Sequence, residues 1–294
     1  VIGTADLEAL ETAVGAAIRT GDASRLHLLG HGDISLALGW PADRPQYACK
    51  RLPPFDTIDA YTRYATVVER YIAELRRRGV RVVDTELQCL QRRDGRVIGF
   101  HIQPVLAPET LGLEILRSSP PSADDPFVTS VIDVVVGATH DRVGVDAQFS
   151  NWSWMNGEPW LLDLSTPAEI DEDGQPVFDM MPFLAALPAV IRPIVRSEMV
   201  KFLPRFLTPR GVLLDLAANA IKAGLDGWIE PVLKRINERV DPPVTRDEAM
   251  RIFKSDRTTF KLILRLERLN RFWQQRIRRR PYEFLLPENT TYGA

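Results

Sequence analysis

Between residues 26 and 103 apolar and polar positions alternate in short runs, and the alternation predicts strands near 26–30, 34–40, 46–52, 80–91 and 97–103. One stretch breaks the series: Ile58 to Arg78 spaces its apolar residues as a helix does, and Arg93-Asp94-Gly95-Arg96 supplies a turn before the last strand. Ahead of the strands, Val1 to Thr20 reads as an amphipathic helix containing Asp6, Glu8 and Glu11. Residues 104–124 connect to a helix from about Pro126 to His140, and the chain from Pro167 onward is largely helical, punctuated by Pro182, Pro188, Pro193, Pro204 and Pro209. In the last long helix, about Arg246 to Arg279, Phe260, Leu262, Ile263, Leu264, Leu266, Leu269, Phe272, Trp273 and Ile277 recur at spacings that bury one face, and the arginines between them form a solvated one. The expectation is an α+β protein of two lobes: residues 1–103, a small antiparallel sheet with one helix, and residues 104–294, mainly helical.

A polar interruption at residues 145–163 carries candidate chemistry. Asp146 and Asn151 flank a short turn, and Trp152-Ser153-Trp154-Met155, Asn156-Gly157 and Trp160-Leu161-Leu162-Asp163 follow it. Asn-Gly accepts the positive φ of a tight primed turn, so the two apolar runs predict a hairpin that returns Asp163 to Asn151. A carboxylate and an amide oxygen meeting there, with a second carboxylate nearby, suit Mg²⁺ ions that already carry phosphate oxygens. The plainer reading of Asp146 and Asn151 is loop capping. Thr166-Pro167-Ala168-Glu169 has the form of a capping box and predicts a helix start.

Upstream, Leu28 to Trp40 alternates glycines Gly30, Gly32 and Gly39 with short apolar segments, as a hairpin whose backbone must approach something closely would do. Lys50 closes the following strand and is the only lysine among the first 200 residues, in a chain that otherwise uses arginine there. A compact ammonium kept at that position suggests a phosphate partner.

Gly30-x-Gly32, Ala48-Cys49-Lys50, Asp146-x-x-x-x-Asn151 and Asp163 stand in the order and at roughly the spacings of the protein-kinase-like superfamily. Over residues 26–165 the chain most resembles its small-molecule branch of aminoglycoside, choline and homoserine phosphotransferases. The resemblance implies a two-lobed kinase-like fold, ATP and Mg²⁺ as cofactors, and transfer of the γ-phosphate to a hydroxyl of a small molecule. It further implies that Gly30 and Gly32 cover the nucleotide phosphates and that Lys50 holds them. An acid from the 58–78 helix, Glu69 or else Glu74, would orient Lys50. Gln103 and Val105 would belong to the adenine hinge, Asp146 would handle the hydroxyl proton, and Asn151 and Asp163 would hold Mg²⁺. Two departures stand out: Gly144 occupies the position usually held by histidine, so one support of the catalytic loop is absent, and Leu164-Ser165 replaces Phe-Gly, as in the small-molecule branch. The alternatives are a nucleotide-binding pseudokinase or scaffolding module, and a kinase-like enzyme that modifies protein.

Composition narrows the remainder. A net charge of −2 argues against a general nucleic-acid binder, and 45% hydrophobic residues in 294 can fill one large core or two ordinary ones. Cys49 and Cys89 lack metal-ligand spacing and read as thiols in a reducing compartment, while His27, His31, His101 and His140 give no zinc signature. The stretch Met180 to Ile191 is too short to span a bilayer, and a cytoplasmic protein without membrane partners is expected. The acidic cluster Glu169, Asp171, Glu172 and Asp173 reads as a solvated turn or, in an aminoglycoside kinase, as a site for amino groups.

Overall fold

A computed structural model describes residues 2–31, 36–279 and 282–284, the side chain of His31 excepted. Helix α1 (Thr4–Thr20) buries Leu7, Leu10, Val14 and Ala17, a stripe at helical spacing. Strands β1 (His27–His31), β2 (Leu36–Trp40) and β3 (Tyr47–Phe55) lead into helix α2 (Ile58–Arg77). Strands β4 (Arg81–Val82), β5 (Glu86–Gln91) and β6 (Val97–Pro104) follow. Five of these form an antiparallel sheet in the order β1-β2-β3-β6-β5.

The single strand expected over 80–91 is thus divided. Its first part, β4, pairs in parallel with β8 (Glu158–Leu161) of a second, three-stranded sheet of order β4-β8-β7, in which β7 is Trp152–Met155, and only its second part joins β6.

Helices α3 (Gly112–Ser118) and α4 (Pro126–Ala138) precede the hairpin of β7 (Trp152–Met155) and β8 (Glu158–Leu161). Asp125 caps α4 by accepting from the Val128 amide, with Pro126 at the first helical position, where its missing N–H costs nothing. The hairpin turn has φ of 55° at Asn156 and 78° at Gly157, as the Asn-Gly pair predicted. Four helices complete the fold: α5 (Arg192–Phe202), α6 (Pro209–Lys222), α7 (Ile229–Asn237) and α8 (Arg246–Phe272). Helix α6 is buried nearly all round, from Gly211 through Ala218, which makes it the central post of the helical half.

Two apolar clusters cover the two faces of the five-stranded sheet. α1 packs with Leu36, Leu38, Cys49, Ile98, Phe100 and Ile102 on one face. On the other, Leu52, Phe55 and Val97 join Tyr64, Val68 and Tyr71 of α2 in a core that continues through α4, α6 and α7. No chain break in packing separates the sheet from the helices, since residues from both share that larger core.

Two sequence expectations are corrected here, and one choice between readings is decided. The capping-box tetrad starts no helix: Val143 and Glu169 form an isolated bridge, and the Gly144 amide donates to the Ala168 carbonyl at 2.8 Å, so this segment is extended against the loop that leads to Asp146. The acidic cluster is a turn in which the Asp171 carboxylate accepts from the amides of Asp173 and Gln175, as the plainer reading held. In α8 and the π-helical turn Trp273–Ile277 that continues it, Leu262, Leu269, Phe272, Trp273 and Ile277 are exposed rather than buried. Helical spacing defines a stripe but not what covers it.

A charged network ties the chain's ends to the sheet. Glu11 of α1 accepts from Arg51 Nε at 2.7 Å and Nη2 at 3.0 Å, and from Arg92 Nη2 at 2.5 Å. The Glu283 carboxylate takes Arg92 at 2.6 Å and Arg96 at 2.9 Å. Burial alone would raise the Glu11 pKa, but the two guanidinium groups hold it below the usual carboxylate range. Since removing one partner strands a buried charge, Glu11→Gln should lower unfolding stability by about 2–4 kcal/mol. A urea midpoint equal to wild type would show that the Arg51 guanidinium is satisfied without Glu11.

Candidate functional site

The site begins with strand register. β3 and β6 pair so that Lys50 lies opposite His101, and Lys50 Nζ reaches Asp163 Oδ2 at 2.5 Å. Asp163 follows β8, and the hairpin folds back because the Leu162 amide donates to the Asn151 carbonyl at 2.8 Å. Lys50, Asn151 and Asp163 are therefore neighbours, although 113 residues separate the ion-paired groups.

Asp163 Oδ1 accepts from the Ser165 amide at 3.0 Å and the Ser165 hydroxyl at 2.8 Å. Burial would raise its pKa, yet the Lys50 ammonium and the two Ser165 donors hold it well below the ordinary range, so Asp163 is a firmly ionised carboxylate. Asp146 differs. It accepts from the Gln148 amide at 3.3 Å and the Gln148 side chain at 3.2 Å. Burial and the negative charge of Asp163 push its pKa up, against the pull of those donors and of the nearby Asn151 amide. Two carboxylates of one site are thus driven apart in proton affinity.

Behind Lys50 the environment is aromatic and neutral. The Tyr64 hydroxyl donates to the Ser165 carbonyl at 2.8 Å and lies 3.1 Å from His101 Nε2. With that hydroxyl hydrogen assigned to Ser165, His101 donates from Nε2 as the neutral tautomer. Burial and the Lys50 charge lower the His101 pKa to about 3, against the pull of Asp163. The sequence identified neither Tyr64 nor His101. The signal for His101 was its register against Lys50, which needs the strand pairing to read.

The orienting acid is a correction. Glu69 lies on the exposed face of α2, and Glu74 pairs with Arg77 and Arg78. The inward stripe of α2 is Tyr64, Val68, Tyr71 and Leu75, so this helix presents a phenol rather than a carboxylate toward Lys50 and Asp163. The two expected hinge residues make contacts of their own. The Gln103 side-chain amide donates to Thr85 Oγ1 at 2.9 Å and the Leu162 carbonyl at 2.7 Å, and the Val105 amide donates to the Gln46 carbonyl at 3.0 Å. Both donors are engaged within the protein, and Gln103 instead braces β6 against the strand that delivers Asp163. Gly30 sits at a bulge in β1 beside open space, where the backbone has room for a neighbour. Gly32 lies outside the described residues.

Gly144 explains itself sterically. A Cβ built there would overlap the Phe206 carbonyl oxygen, so no side chain fits between the two backbones. Support for the loop comes from other groups: the Tyr71 hydroxyl donates to the Gly144 carbonyl at 2.7 Å, and the turn at Leu203–Leu207 that carries Phe206 is tied by Arg205 to Asp215 of α6 at 2.7 Å. Asp215 also accepts from Asn219 at 2.8 Å. Burial and the charge of Asp146 raise its pKa to about 7, against the pull of Arg205. Tyr71 and Asp215 are site supports that nothing local in the sequence marks.

A divalent cation fits only with help. Among the described residues no cluster of three His, Cys, Asp or Glu side chains could hold a metal ion unaided. Asp163 and Asn151 nevertheless offer two hard oxygen donors, and Mg²⁺ is commonly bound by one or two carboxylates together with substrate phosphates and water. The Asn151 amide nitrogen is buried beside Asp146, on whose pKa it exerts a lowering pull, so the amide oxygen is the end of that side chain a cation could use.

Residues 9–271 match the family described as "Family of unknown function (DUF6206)". The chain belongs to this family. No curated protein matches the chain. The matched span of DUF6206 includes every candidate residue from Gly30 to Asp163 and nearly all of α8.

Two outcomes check this geometry. Gly144→Ala should destabilise the protein by about 2 kcal/mol or more, through overlap with the Phe206 backbone; an unchanged urea midpoint would mean the two backbones can separate freely. His101 has a folded pKa depressed from 6.5 to about 3, so the unfolded chain binds its proton first, and stability should fall as pH drops below about 6.5 toward 3. His101→Gln should flatten that part of the stability–pH profile, and parallel profiles would show that His101 titrates freely in the folded protein.

Proposed function

We propose that the chain is an ATP- and Mg²⁺-dependent phosphotransferase of protein-kinase-like build, which passes the γ-phosphoryl group to a hydroxyl of a small molecule. The observation that carries this reading is the contact of 2.5 Å between Lys50 and Asp163, which joins the strand lysine to the carboxylate expected to hold metal. The side chains of Lys50 and Asp163 keep 20% and 31% of their surface in solvent, so a ligand can reach both. Leu164-Ser165 in place of Phe-Gly supports the small-molecule branch, and Ser165 here orients Asp163 through two donors.

In this reading Lys50 turns from Asp163 to the phosphate oxygens when nucleotide binds. Asp163 and Asn151 would hold Mg²⁺, which supplies neutralisation of phosphate charge when bound. Asp146, with its raised pKa, takes the proton of the acceptor hydroxyl as that oxygen bonds to phosphorus and the bond to the departing ADP oxygen breaks. Direct transfer of this kind depends on positioning and on fixed charge rather than on a covalent enzyme intermediate.

The test combines binding and turnover. Wild type should gain thermal stability with Mg·ATP and label small molecules of a metabolite extract from γ-labelled ATP. Asp163→Asn should abolish the thermal gain, while Asp146→Ala should keep it and reduce transfer by about 10²-fold or more. A thermal gain undiminished in Asp163→Asn removes that residue from the metal site. Binding without turnover would assign a nucleotide-sensing module, and labelled protein a protein-modifying enzyme.

A further inference from the structure

The outer face of α8 is apolar where a solvated helix should be polar. Leu262, Leu269 and Phe272 are 55%, 60% and 58% exposed, and in the π-helical turn that continues α8, Trp273 and Ile277 are 51% and 55% exposed. Steps of seven and four residues place Leu262, Leu269 and Trp273 on one stripe, with Phe272 beside it. The helix is held by its other side: Glu267 and Asn270 are buried, and the Asn270 amide donates to the Ala186 carbonyl at 2.8 Å. The stripe therefore faces outward because of how α8 is anchored.

Charge accumulates on the same segment. Residues 257–279 contain eight basic side chains and one acidic one, Glu267, in a chain whose net charge is −2.

We propose that this face is a peripheral docking surface for an anionic lipid bilayer. A helix lying in the headgroup region buries leucine and aromatic side chains among acyl chains while arginines beside them meet lipid phosphates, and both halves of that demand are met on one element. Tryptophan has a preference of its own for the membrane–water boundary. A second copy of the chain would bring like charges together across the stripe. A nucleic acid would satisfy the arginines but leave Leu262, Leu269 and Trp273 in water. No described helix is long and apolar enough to cross a membrane, so attachment is along the surface. This replaces the expectation, drawn from the absence of a spanning segment, that no membrane partner exists, and it does not depend on phosphotransfer.

The whole protein should sediment with vesicles of phosphatidylcholine and phosphatidylglycerol about tenfold more than with phosphatidylcholine alone, and raised salt should reduce the bound fraction. The double variant Leu269→Glu, Trp273→Glu changes only exposed positions; it should lose that binding while keeping the wild-type circular dichroism spectrum and gel-filtration volume. Arg268→Glu with Arg271→Glu should lose the preference for anionic vesicles. Equal binding to both vesicle types, or to neither, overturns the proposal. So does binding to an oligonucleotide without binding to vesicles, or a dimer in solution that Leu269→Glu separates.

Discussion

The site rests on one ion pair, Lys50 with Asp163. Each group alone would be badly placed: Asp163 stands near Asp146, and Lys50 stands opposite His101, which burial keeps neutral. Burial is the larger influence on His101 and Asp146 beside them, and the charges of the pair act on top of it. Asp163 stays ionised, its charge helps push Asp146 toward the protonated form, and Asp146 in turn raises Asp215. Burial together with contacts to Lys50, Ser165 and Arg205 thereby separates three neighbouring carboxylates by proton affinity, the kind of separation that acid–base chemistry requires.

Lys50, from the ion pair, and Asp146, beside it, are both held in place, and the two are held differently. Lys50 is fixed by strand register between β2 and β6. Asp146 stands on an irregular loop, which needs outside bracing: Tyr71 holds the Gly144 carbonyl, the Ala168 carbonyl holds the Gly144 amide, and the Phe206 backbone closes the space above the missing side chain. Gly144 carries no side chain because a neighbouring backbone occupies the volume. The loop is supported instead by a phenol reaching in from α2 and a turn secured by Arg205 to α6.

Features governed by local chemistry were legible in the sequence. The Asn156-Gly157 turn, the return of Asn151 toward Asp163 and the alternating strands follow from residue types and short spacings, whereas the meeting of Lys50 with Asp163, 113 residues apart, was implied only by the resemblance in motif order. Features decided by rotation or by tertiary competition were not. Glu69 is one residue away from the inward Val68, and that step of a helix turns a side chain from the core to solvent. The Val105 amide was a plausible free donor until β3 and β6 extended far enough to give it Gln46. Thr166 and Glu169 carry capping chemistry, but a bridge to Val143 outcompeted the helix. Asp215 was invisible because nothing in its neighbours along the chain predicts that Asp146 lies close by.

The charge on α8 gains meaning from where the chain goes next. Beyond the exposed stripe the chain returns to the sheet, where Glu283 engages Arg92 and Arg96 and its carbonyl accepts from Arg51, the neighbour of Lys50 on β3. Adjacent strand residues point to opposite faces, so Arg51 meets the chain ends on one side of β3 while Lys50 meets Asp163 on the other. A displacement of the α8 terminus relative to the sheet must stretch bonds to charged, partly buried groups, which resist being left unpaired. Two neighbouring residues of β3 thus tie that strand to Glu11 and Glu283 on one face and to Asp163 on the other.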